Sequence, residues 1–250
     1  MFTTVSLGLL APGAFAVAEA MPLDARPTVG TAIAAAPLER PASRSREPDP
    51  VGHTLVRITH TIRITARPGG GRGVGTMPAG SRFYDQPIIA WVLDISDGGR
   101  YGLVPVPYAG RQVFGWISLR SLELETTRIE VVADLSEHVI EVRRGGDLLF
   151  RAPAATGARV SPTPIGRYFV TDRVAFPGGG SFGSFAFGIS GIQTHLPPGW
   201  TGGDQLAIHG TSAPGTIGTS ASAGCLRVSE RMLDRLRPLL RLGTPVTIVP

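Results

Sequence analysis

The chain has one cysteine, Cys225, and no lysine at all: every one of its 24 cationic side chains is arginine. A lone cysteine excludes an internal disulfide, so the thiol either stays free or bonds to another chain. Helix-favouring Glu and Lys are scarce, while Gly (33) and Pro (22) are plentiful in 250 residues, which points to short strands and many turns. Five histidines and one cysteine do not assemble a zinc-ligand pattern, and neither a heptad nor an internal repeat is present. The apolar stretch from Val5 to Val17 is short for a membrane span and is broken by Pro12 and Gly13. A net charge of +5 favours anionic partners. The arginines are scattered and no nucleic-acid module is recognisable, so nucleic acid is not the expected partner; a polyanionic cell wall fits the charge as well.

The start, "MFTTVSLGLLAPGAFAVAEAMP", reads as a secretory leader over residues 1–20, with small-residue cleavage sites such as Ala18-Glu19-Ala20. It lacks a basic n-region. Export to the cell envelope, periplasm or extracellular wall is the expectation, and an uncleaved leader would be the one attachment to a membrane. Residues 21–50 are Pro, Ala and Arg with few large apolar side chains, the composition of a linker.

Residues 51–125 alternate short β-branched and aromatic runs ("HTLVRITHTIRITARP", "QVFGWISLRSLEL") with "GGGRG", "PAG" and "DGG". The pattern is that of a small all-β module. Its ending "GWISLRSL" resembles the last strand and turn of bacterial SH3-like domains, and an immunoglobulin-like sandwich is the alternative. A second unit spans residues 127–250. "RIEVVADLSEHVIEVRRGGDLLFRAPAATG" alternates apolar and polar residues around the hairpin turn Arg144-Gly145-Gly146-Asp147. Residues 175–203, rich in Gly, Phe and Pro, have the size of a lid or binding loop, within which Trp200 and the phenylalanines are candidates to grip a substrate. "QLAIHG" is a strand ending at His209. Ser229 is placed to cap a helix with apolar positions Met232, Leu233, Leu236, Leu239 and Leu240, kinked near Pro238 and stopped at Gly243.

Cys225 sits sixteen positions after His209 in "HGTSAPGTIGTSASAGCLRV", a segment too polar for an inert buried thiol. A thiol is a nucleophile as its thiolate, and a neighbouring imidazole is the usual means of making one. Gly224 allows close backbone approach, and the N–H groups around Gly224 and Cys225 are candidate oxyanion donors. Together these argue for acyl transfer through a thioester, to an amine or to water.

The segment "HGT…P…IG…S.GC.RV" resembles the signature of L,D-transpeptidase catalytic domains, the bacterial cell-wall cross-linking enzymes. Twelve residues separate His209 from Ser222, and "ATGARVSPTPIGRYFV" and "GTPVTIV" match further family segments, so the likeness covers residues 127–250. The resemblance implies a β-sandwich with one packed helix and no metal or organic cofactor. It implies that Cys225 attacks a tetrapeptide stem of peptidoglycan, with His209 as base and acid, and that an amine from a second stem completes a 3→3 cross-link. Ser222, Gly224 and Gly210 would shape the site and its oxyanion pocket. Arg227, Thr211, Thr163 and Trp200 would contact substrate, and carbapenems would acylate the cysteine. Position 223 is Ala where many members carry His, Lys or Arg. Two alternatives stand beside cross-linking: carboxypeptidase or D-amino-acid exchange at the same stems, and a wall-binding protein without catalysis.

Overall fold

The computed structural model describes residues 52–250; the leader-like and linker segments lie outside the described residues. The described chain is mainly β, with a single α-helix. The first eight strands are β1 (His53–Arg57), β2 (Ile62–Arg67), β3 (Gly70–Met77), β4 (Ile89–Val92), β5 (Asp94–Ile95), β6 (Tyr101–Pro105), β7 (Phe114–Ser118) and β8 (Glu123–Thr127). They form a three-stranded sheet, β4-β1-β8, and a five-stranded sheet, β3-β2-β7-β6-β5. Ile64, Met77, Ile88, Val104 and Ile117 fill the core between them.

The strands of the second unit are β9 (Ile129–Asp134), β10 (Val139–Arg144), β11 (Asp147–Pro153), β12 (Thr156–Gly157), β13 (Gly166–Ala175), β14 (Phe185–Ile192), β15 (Gln205–His209), β16 (Ser220–Ser222), β17 (Leu226–Arg227) and β18 (Pro245–Val249). Eight of them make one sheet in the order β11-β10-β9-β18-β13-β14-β15-β17, and the short β12 and β16 pair beside it. Alternation sets the buried face: Val131 and Ala133 of β9 and Ile140 and Val142 of β10 are fully enclosed. Gly145 and Gly146, both at positive φ (61° and 88°), make the two-residue hairpin turn that joins β10 to β11.

The helix α1 (Glu230–Leu236) starts where Ser229 Oγ accepts from Met232 N (3.3 Å) and buries Met232, Leu233 and Leu236. It ends before Pro238, so the expected kinked continuation to Gly243 is corrected: proline has no N–H to extend the ladder. The expected lid over residues 175–203 is also corrected. Its centre is β14, in which Phe185 and Phe187 are buried between β13 and β15, leaving two separate loops, 176–184 and 193–204. Unbroken burial makes β14 read as a Phe- and Gly-rich run without alternation.

The first module packs onto the second unit through buried polar contacts. Ser81 Oγ donates to the carboxylate of Asp172, which is completely buried and also accepts from Thr171 Oγ1 (2.7 Å) and Gln205 Nε2 (2.8 Å). The amide of Gln86 bonds twice to the backbone of Arg173, donating to its carbonyl and accepting from its N–H at 3.0 Å each. Tyr108 N donates to Ser190 O (2.7 Å). Phe169, paired with Pro245 in the sheet of its own unit, sends its fully buried side chain into the core of the first module. Truncating it opens a cavity at that junction, so Phe169→Ala is expected to cost about 3–5 kcal/mol in denaturant unfolding, well above the ordinary surface substitution.

Candidate active site

The parallel pairing of β15 with β17 brings the candidate residues His209 and Cys225 onto neighbouring segments. Ile208 pairs with Leu226 and His209 with Arg227, and Val228 N donates to His209 O (2.8 Å). Ile208 and Leu226 face the core, so His209, Arg227 and, one step back along the register, Cys225 share the opposite face. Cys225 thereby stands beside Ala207, two residues from His209. Strand spacing and rise put the two Cα atoms roughly 8 Å apart, a gap that a thiol and an imidazole can close.

His209 is 3% exposed, and its Nδ1 lies 2.5 Å from the carbonyl oxygen of Gly210. A carbonyl oxygen can only accept, so Nδ1 carries the proton and Nε2 is left as the basic nitrogen. Burial pulls the imidazole pKa down to about 4; the Gly210 bond works against that shift and the Arg227 charge adds to it. Burial raises the Cys225 thiol above its ordinary value, against smaller lowering effects from the Ala207 backbone and Arg227. Cys225 keeps a partly exposed edge although its sulfur sits among protein atoms, 3.9 Å from Gln205 O. Both shifts favour the uncharged forms. At neutral pH the resting pair is thiol and imidazole, with the proton still to be moved.

The turn before Cys225 is built from hydroxyls and one amide. Ser222 is buried; its Oγ donates to Cys225 O (2.6 Å) and accepts from Gly224 N (3.0 Å). The Gly224 N–H is therefore engaged, which corrects its assignment as an oxyanion donor and, of the two N–H groups considered, leaves that of Cys225. Gly224 adopts φ 119°, and a Cβ there would stand 2.5 Å from Gln193 Nε2, so glycine is required twice over. Gln193, itself buried, donates to Pro162 O (2.8 Å) and accepts from His195 N (2.8 Å). Ser161 Oγ holds Ala223 O (3.0 Å). Neither Gln193 nor Ser161 stood out in the sequence: polar side chains that brace a turn from another loop leave no local spacing signal.

The remaining expected residues divide. Thr163 is buried, and its hydroxyl accepts from Gly157 N (2.8 Å), so it shapes the turn in place of facing substrate. Thr211 Oγ1 accepts from Ala213 N (3.0 Å) and closes the loop after His209. Arg227 stands beside His209 with its Nε buried and without a hydrogen-bond partner, while its backbone pairs with Ala155. Trp200 lies on the 193–204 loop, 37% exposed, its indole N–H bonded to Gly203 O (3.1 Å). Of the loop phenylalanines, Phe182 alone meets the pair, edge-on to His209 at 4.9 Å and stacked on Phe176. Its loop is fixed to α1 by Glu230, which accepts from Ser184 N (3.1 Å) and Ser184 Oγ. No group of three or more metal-ligating side chains occurs among the described residues.

Residues 128–248 match the model of the YkuD family, described as the L,D-transpeptidase catalytic domain. Those residues belong to that family. The YkuD-family domain is 28% identical over 126 residues to a provisionally named L,D-transpeptidase, YkuD, of Bacillus licheniformis, a match covering 50% of this chain and 68% of that protein. The corresponding Bacillus subtilis protein is 32% identical over 96 residues, covering 38% of this chain and 51% of its own length. Among solved structures, L,D-transpeptidase 3 from Mycobacterium tuberculosis in complex with a faropenem-derived adduct is 15% identical with a TM-score of 0.43, spanning 65% of this chain and 91% of that one.

The buried imidazole links the site to stability. Its folded pKa of about 4 lies below the ordinary imidazole value of 6.5, so the unfolded chain takes up the proton first as pH falls. The stability it contributes is complete above about pH 6.5 and is lost toward pH 4, on the order of 3 kcal/mol in all. Denaturant midpoints measured across that window should fall steeply for the native protein and more shallowly for His209→Gln.

Proposed function

We propose that this protein is a cell-wall L,D-transpeptidase of the bacterial envelope, with Cys225 as nucleophile and His209 as its proton carrier. The observation that carries the reading is the shared face of the β15–β17 pair, with His209 held by Gly210 O in the tautomer that leaves Nε2 basic. Substrate binding excludes water and brings a carbonyl carbon against the sulfur. The thiol proton passes to His209 Nε2 as the C–S bond forms, and the Cys225 N–H takes the developing oxyanion. Collapse of that intermediate breaks the C–N bond, and His209 returns the proton to the leaving D-Ala amine. A thioester remains. An acceptor amine then loses a proton to His209 and attacks the thioester carbon, and the sulfur leaves to recover its proton.

The donor in this reading is the tetrapeptide stem of peptidoglycan, cut after its third residue, and the product is a 3→3 cross-link. Arg227, with an unpaired buried Nε on the reactive face, supplies positive charge to a substrate carboxylate or to the thiolate as it forms. Delivery to water or to a free D-amino acid uses the same acyl-enzyme and differs in which nucleophile reaches it. Ala223 contributes no polar side chain where many members of the family carry His, Lys or Arg, so acceptor selection falls to the surrounding walls.

The test is product analysis by mass spectrometry with purified disaccharide-tetrapeptide as both donor and acceptor. Dimeric product with release of one D-Ala per link is expected, and Cys225→Ala should abolish it. Tripeptide without dimer would make the protein a carboxypeptidase. Unchanged substrate would reject the catalytic reading.

A further inference from the structure

The loop between β3 and β4 places the first module beside the nucleophile. Ser81 is tied to the buried Asp172, Gln86 to the Arg173 backbone, and between them Arg82 Nη1 reaches Asp204 Oδ1 at 2.7 Å. Asp204 precedes Gln205, whose carbonyl lies 3.9 Å from Cys225 Sγ and whose side chain completes the Asp172 cluster. Asp204 O also accepts from the N–H of Gln193, the residue packed under Gly224. The loop is thus built into the framework that holds the nucleophile turn.

What this framework presents outward is aromatic. Phe83 is 53% exposed, Tyr84 40% and Trp200 37%. Arg82 lies over the Phe83 ring, 5.0 Å from its centroid, and Trp200 is bonded to Gly203, which adjoins the edge of Phe83. Asp85 turns the loop at φ 49°, a left-handed conformation uncommon outside glycine. A loop fixed at both ends that keeps two rings in water beside a third, Trp200 of the 193–204 loop, is pre-organised for a ligand, since little conformational freedom is left to lose on binding. Together the rings offer on the order of 250 Å². A stable protein partner needs about 800 Å² on each side. The patch is too small for that, and it suits one or two sugar rings, whose flat C–H faces stack on aromatic side chains while their rim hydroxyls meet the flanking Arg82 and Asp85.

We propose that Phe83, with Arg82, Tyr84 and Trp200, forms a saccharide subsite that holds the glycan strand while its peptide stem reaches Cys225. The subsite rests on the peptidoglycan reading above and extends it: the first module becomes a wall of the substrate cleft, and substrates that keep their sugars are preferred.

Binding separates the two claims. Full-length Cys225→Ala protein, which cannot turn over, is titrated with the peptide-free disaccharide of N-acetylglucosamine and N-acetylmuramic acid, followed by amide and indole NMR shifts. Shifts at residues 82–85 and 200 are expected, weakened about tenfold or more by adding Phe83→Ala and retained with Phe83→Trp, which keeps an aromatic face. Absence of shifts there, or equal binding by the Phe83→Ala form, overturns the subsite whether or not the protein is an active transpeptidase. With Cys225 restored, the ratio of kcat/KM for disaccharide-tetrapeptide to that for the sugar-free tetrapeptide should fall about tenfold in Phe83→Ala. An unchanged ratio overturns the proposal even where cross-linking itself is observed.

Discussion

The parallel register of β15 against β17 is the constraint on which the site depends. It decides which side chains share a face, and so it sets Cys225, Arg227 and His209 together while sending Ile208 and Leu226 into the core. A slip of one residue would exchange the two sets and bury the proposed nucleophile among leucines and isoleucines. The free energy of burying these apolar anchors thus holds the candidate residues His209, Cys225 and Arg227 in register. Around that pair, Ser222, Ser161 and Gln193 fix the turn, and Gly210 O fixes the imidazole.

The same burial that positions the pair keeps it quiet. An imidazole lowered to about 4 and a thiol raised by desolvation have no reason to exchange a proton at rest. In the proposed reaction a substrate carbonyl changes this by giving the sulfur somewhere to put its electrons as the proton leaves. The neutral resting state also keeps the enclosed sulfur as a thiol, the form less open to oxidation. Arg227 lies close enough to favour the anion when it forms, and disfavours a second positive charge on His209 until then.

Much of this was legible in the sequence because the signals are local. Gly145-Gly146 between alternating runs fixes a hairpin, Ser229 before an apolar stripe caps a helix, and His209 closes a strand with Cys225 following a glycine. What escaped is long-range. Nothing near Gln193 announces that it will lie beneath Gly224, and nothing near Thr163 says that its hydroxyl will be taken by Gly157 N. The Phe-rich run around Phe185 and Phe187 read as a lid because a strand enclosed on both faces loses its alternation. The docking of the first module was likewise hidden, since it rests on Ser81, Gln86 and Asp172, single polar residues whose partners lie about ninety positions apart in the chain.

The central claim is that Cys225 exists to be acylated, and the intact mass of the protein after exposure to a carbapenem tests it most directly. One covalent adduct on the native protein, absent from Cys225→Ala, is the result this account requires. Folded and reduced native protein that emerges without an adduct would contradict it, and would leave a wall-binding module with a silent site.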